Sequence, residues 1–69
     1  MPFVNVLITD EGATDAQKAE IIAQITDTLR VVLGKNPATT HVVIQEVSAT
    51  AWGVGGLPCL EYRASLSPP

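Results

Sequence analysis

The sequence predicts an α/β protein: a single β-α-β protomer with parallel strands, followed by a short C-terminal hairpin. Two apolar stretches of strand length, MPFVNVLIT and THVVIQEV, lie far apart in the chain. Between them, apolar residues recur at helical spacing. After the second stretch, SATAWGVGGLP carries the glycine pair of a tight turn.

Residues 2–9 contain Phe3, Val4, Val6, Leu7 and Ile8 and read as a buried strand. Proline is tolerated at its first residue, where a missing N–H breaks no ladder. DEGATD is a turn. Thr14 and Gln17 have the spacing of a capping box, and Asp15 complements the positive end of a helix. The helix spans Asp15 to Leu33, with Ile22, Ile25, Leu29, Val32 and Leu33 at its spacing and Ile21 beside them. Gly34 suits the position past its end, and Pro37 prevents resumption. The second strand, Thr40 to Val47, turns Val42 and Ile44 one way and His41, Val43, Gln45 and Val47 the other. Strand, helix, strand implies a parallel pair with a right-handed crossover. Two strands under one helix are too little sheet to stand alone, so another subunit is expected to supply the rest. The hairpin around Gly55 and Gly56 would pair with a neighbour's edge. Residues 1–69 form one domain, with 64–69 expected as a flexible tail.

Size and composition point the same way. A chain of 69 residues is near the lower limit for a self-sufficient core. Cys59 is alone and cannot form an internal disulfide, and one His with one Cys is too few ligands for a metal cage. Yet 46% of residues are apolar and mean hydropathy is positive, at +0.28, more than so small a body can hide. Subunits are therefore expected to bury one another's apolar faces. A net charge of −3, with Lys18, Arg30, Lys35 and Arg63 scattered, argues against nucleic acid. No apolar run approaches the roughly 20 residues of a membrane span, and no basic segment precedes the apolar stretch at 3–8. A cytoplasmic setting is the expectation. GVGG opens no helix and reads as a turn rather than a phosphate loop.

The order of pieces carries a resemblance. An initial Met-Pro strand, a Thr-Asp-x-Gln-Lys helix start, a second strand ending IQEV, then an aromatic and GVGG, is similar to the 4-oxalocrotonate tautomerase family over nearly the whole chain, to about Arg63. The resemblance implies the tautomerase/MIF-like fold: protomers that dimerise into a four-stranded sheet and assemble as hexamers, trimers of dimers. It also implies a keto–enol tautomerase (an isomerase) with an amino-terminal proline as general base. The substrate would be a small enol or 2-keto acid, and the reaction needs neither metal nor cofactor.

Trimming of Met1 would leave Pro2 as a secondary amine. A free α-amine has a reference pKa of roughly 7.7–8.0, and a prolyl amine is intrinsically more basic. Burial in an apolar pocket lowers it toward neutrality, where a general base works best. The competing reading is a proline that merely starts a strand, and retained Met1 would make its nitrogen an amide. Trp52 falls where the family places an aromatic that walls the proline pocket; otherwise it is a core or interface tryptophan. Typical members also use two arginines against the substrate, one in the turn before the helix and one at the start of the second strand. Here these positions hold Ala13 and His41, and neither supplies a permanently charged, planar fork. His41 still offers a hydrogen bond to a carbonyl. Arg63, at a more variable basic position, is the candidate to compensate; the alternative is a solvated tail arginine. Asn5 is a weak candidate for orienting a polar group near the proline. Asp10, Glu11, Glu46 and Glu61 read as solvated. Relatives that add water to an unsaturated acid use a carboxylate in the segment after the second strand; SATAWGVGG has none, so the resemblance disfavours hydration or dehalogenation.

Three readings stay open. The first is a homohexameric tautomerase, weak or directed to an unusual substrate because the arginines are missing. The second is the proline-bearing subunit of a mixed hexamer in which another chain supplies them. The third is a non-catalytic oligomeric scaffold or binding protein.

Overall fold

The computed structural model describes residues 1–66. Strand β1 spans Phe3–Thr9 and β2 spans His41–Val47; they pair in parallel, with Phe3 opposite His41 and Thr9 opposite Val47. The ladder extends one bond past each end. The His41 N–H donates to the Pro2 carbonyl at 3.0 Å, and the Asp10 N–H to the Val47 carbonyl at 2.7 Å.

Helix α1 joins the strands over Asp15–Leu33, with the expected boundaries. Its start is closed reciprocally: the Thr14 hydroxyl accepts the Gln17 N–H at 3.1 Å, and the Gln17 side-chain carbonyl accepts the Thr14 N–H at 2.9 Å. At the other end Gly34 takes φ 68°, a left-handed conformation that costs glycine little. Its N–H reaches the Arg30 carbonyl, and the Lys35 N–H reaches that of Leu29, which satisfies carbonyls the helix leaves open. A 3-10 turn at Pro37–Thr39, capped by Asn36, then directs the chain into β2.

The strands' two faces differ. Val4, Val6 and Ile8 of β1 alternate with more exposed neighbours, as do Val42 and Ile44 of β2. Their face also carries Glu46, which forms an ion pair with Lys18 of α1, so this is the helix-covered face. The opposite face presents Phe3, Leu7 and Val43, which remain 67%, 49% and 41% exposed. On α1 the half-buried stripe is Lys18, Ile21, Ile25 and Leu29. The expected stripe through Ile22, Val32 and Leu33 is corrected here: those residues are exposed. A helix of 19 residues is about 28 Å long, whereas seven strand residues cover about 23 Å, so the last helical turn outruns the sheet.

The protomer lacks a closed core. Cys59 is the single buried hydrophobic residue among those described. The radius of gyration is 15.9 Å, against about 11 Å for a compact chain of this length. The expectation that apolar surface exceeds what one protomer can hide holds for this structure.

After β2 a 3-10 turn at Ala49–Ala51 leads to the anticipated hairpin, β3 Gly53–Val54 and β4 Leu57–Pro58. Its two-residue loop is Gly55-Gly56, with φ 60° and 85°, as turns matching the twist of paired strands require. The chain then forms a second helix, α2, over Cys59–Leu66. Residues 64–66, expected in a flexible tail, continue this helix; 67–69 lie outside the described residues. No described helix is long and apolar enough to cross a membrane.

Candidate active site

One half of the candidate site lies where the two strands begin. Pro2 is half-buried, and its carbonyl takes the first inter-strand hydrogen bond from the backbone of His41. This bond fixes Pro2 at the head of the sheet, while the ring nitrogen has no ladder role. Met1 before it is 88% exposed and projects away from the fold. His41 begins β2 on the open face, opposite Phe3.

The other half lies where the strands end, roughly 20 Å away by the rise of a seven-residue strand. There α2 folds back over the hairpin and leaves a cleft of about 450 Å³ against the end of β1. Trp52 and Val54 form one wall, Ile8 and Thr9 another, and Cys59, Tyr62, Arg63 and Leu66 of α2 the third. Local bonding holds this arrangement. The Ser48 hydroxyl caps the turn that leads to Trp52, and the Cys59 N–H donates to the Trp52 carbonyl at 2.6 Å. The Tyr62 ring packs over this turn, and a Cβ on Gly55 would meet it at 3.5 Å, an ordinary van der Waals contact; the positive φ rather than lack of space favours glycine there. Trp52 also borders a smaller cleft of about 240 Å³ with Leu7, Val47, Ala51 and Gly53.

Two ion pairs frame this region. The Arg63 guanidinium meets the Glu11 carboxylate through both forks; Nη1 bonds Oε1, and Nη2 lies 3.3 Å from Oε2. Glu11 also accepts the Thr9 hydroxyl at 2.8 Å. The Arg63 hydrogen bond, then that of Thr9, holds the Glu11 carboxyl below the usual carboxylate range, and Glu11 in turn raises Arg63. Lys18 likewise lowers Glu46, with a smaller contribution from Asp10. Glu11 and Glu46, expected as merely solvated, are thus paired across long stretches of chain. Both pairs stand in contact with water, where such bridges contribute little to stability.

The expected site residues therefore divide by position: Pro2 and His41 at the strand starts, Trp52 and Arg63 at the strand ends. Cys59, Tyr62 and helix α2 were not anticipated as parts of the cleft, nor Glu11 as the partner of Arg63. One signal for α2 was present, since Pro58 precedes CLEYRASL and proline favours helix starts. No cluster of His, Cys, Asp and Glu suited to a metal ion occurs among the described residues.

A protomer with one parallel strand pair, one long crossover helix and a short hairpin is the tautomerase architecture. The family model described as tautomerase enzyme matches residues 2–59. "Probable tautomerase K2" of Dickeya dadantii is 51% identical over 67 residues, covering 97% of this chain and all of that protein. The crystal structure of DmpI from Helicobacter pylori superposes with a TM-score of 0.85 at 35% identity, over 91% of this chain and 97% of that one. A heterohexamer 4-oxalocrotonate tautomerase from Chloroflexus aurantiacus gives a TM-score of 0.80 at 28% identity, over 88% and 97%. The chain belongs to the 4-oxalocrotonate tautomerase family.

Proposed function

We propose that this protein is a cofactor-independent keto–enol tautomerase acting on a small enol or 2-keto acid, with Pro2 as general base once Met1 is removed. The observation that carries the reading is the placement of Pro2 at the head of β1 in a tautomerase-family fold, pinned through its carbonyl with its nitrogen outside the ladder. As a free secondary amine in an apolar site, that nitrogen takes the enol hydroxyl proton. The O–H electron pair closes the carbonyl, the double bond shifts, and the proton returns to a carbon of the conjugated system.

The split geometry makes the site a property of the assembly. In a twofold dimer the same edge meets itself reversed, so the strand starts of one protomer adjoin the strand ends of its partner. Pro2 and His41 of one chain then face Trp52 and Arg63 of another, the tryptophan excluding water and the arginine holding a substrate oxygen. Exposed Phe3, Leu7 and Val43 lie on the open face and supply the apolar surface by which these dimers pack together, and we assign a hexamer built from them. A mixed hexamer is the second reading. Ala13 and His41 stand where typical members carry arginines, and a structural neighbour is a heterohexamer.

Intact-mass analysis followed by assays with phenylenolpyruvate and 2-hydroxymuconate tests the proposal. The expected result is a chain beginning at Pro2 whose activity disappears in Pro2→Ala and survives in Cys59→Ser. Equal activity of Pro2→Ala and wild type would overturn the base assignment.

A further inference from the structure

We propose that the α2 cleft accepts the apolar body of a monocarboxylate enol or 2-keto acid, and that Glu11, through its hold on Arg63, sets the site against dicarboxylates. This rests on the tautomerase reading above and specifies its substrate class. The cleft's volume of about 450 Å³ falls within the range of small-ligand sites, and its walls are mainly apolar, with Trp52 and Tyr62 offering aromatic faces. Arg63 is the one cation among the residues lining it. That cation already carries a counter-ion, because Glu11 grips both guanidinium forks and is itself fixed by the Thr9 hydroxyl.

An incoming carboxylate must share Arg63 with Glu11. One carboxylate at the rim achieves this while an apolar tail fills the cleft. A second carboxylate finds no lining cation, meets the field of Glu11, and loses water against apolar walls. The chain's net charge of −3 opposes it further. Glu11 thus acts on specificity through Arg63, without touching the reacting atoms.

The test uses the assembled wild-type protein, the emission of its single tryptophan, Trp52, and two ligands that cannot tautomerise: hydrocinnamate and adipate. Hydrocinnamate is expected to shift Trp52 emission saturably, with a Kd at least about tenfold below that of adipate. Glu11→Gln is expected to tighten both ligands and to narrow their ratio by roughly threefold or more, since the dianion loses more repulsion than the monoanion. Adipate binding as tightly as hydrocinnamate to wild type, or an unchanged ratio in Glu11→Gln, would overturn the proposal. Neither ligand is turned over, so the outcome is independent of Pro2. A fully active Pro2→Ala protein would remove the base assignment and leave this binding preference standing.

Discussion

Replacing Leu7 with aspartate probes whether the open face of the sheet is an interface. Leu7 lies on β1 opposite Gln45, remains 49% exposed in the protomer, and borders the smaller cleft beside Trp52. Complete burial of a leucine side chain contributes about 1.5–3 kcal/mol. Roughly half of that is still to be gained, so covering Leu7 contributes about 1 kcal/mol per protomer, and Leu7→Ala should lose that amount. Aspartate adds the penalty for desolvating a charge, about 2–4 kcal/mol even after relaxation. The total, about 3–5 kcal/mol per protomer, corresponds to a dissociation constant weakened by two to three powers of ten or more. Light scattering across a micromolar dilution series should show Leu7→Asp dissociating where wild type stays assembled, with Leu7→Ala intermediate. If Leu7→Asp keeps the wild-type assembly throughout that range, the open face is not an interface and the packing of dimers through it fails.

Two further outcomes follow from local structure. Thr14→Ala removes the hydroxyl that accepts the Gln17 N–H and should destabilise the protein by about 1 kcal/mol in denaturant titration, with Thr14→Ser close to wild type. Acid should weaken the fold through Glu11 and Glu46, whose carboxyls sit below their usual range because of Arg63 and Lys18. Groups with depressed values stabilise the folded state above the unfolded pKa of about 4.3, and the contribution is lost as pH falls through the folded value. The double variant Glu11→Gln/Glu46→Gln should therefore show a flatter decline in thermal midpoint below about pH 4 than wild type.

What the sequence disclosed follows from which interactions are local. The capping box at Thr14 and Gln17, the left-handed Gly34 and the Gly55-Gly56 turn are set by neighbours within a few residues, and each was legible. Strand faces were legible too, because a period of two requires no knowledge of the partner. The burial of α1 was not. Ile21, Ile25 and Leu29 are half-buried while Ile22, Val32 and Leu33 are exposed; Val32 and Leu33 belong to the last turn, which outruns the strands, a limit that the helix's own spacing does not contain. The Glu11–Arg63 pair spans 52 positions, so no local pattern announces it. Helix α2 was obscured by the run of serine and proline that follows it. The candidate residues were individually visible, but their division between opposite ends of the sheet depends on the strand register.

That division bears on why so small a chain can serve as a catalyst. A protomer without a closed core cannot enclose a dry cavity from its own residues, and a proline amine surrounded by water would keep the higher pKa of a free secondary amine. Association addresses both deficits. Edge pairing would bring an aromatic wall and a guanidinium beside a partner's Pro2, and the contacts that cover Phe3 and Leu7 would hold the paired protomers together, so assembly and the preorganisation of the site are coupled. On this reading, Ala13 and His41 in place of arginines would change specificity without removing the base, because neither position supplies the proton-transferring nitrogen. Arg63, held by Glu11 on a helix that follows the residues matched by the family model, is then a separate solution to substrate binding attached to an unchanged strand–helix–strand frame.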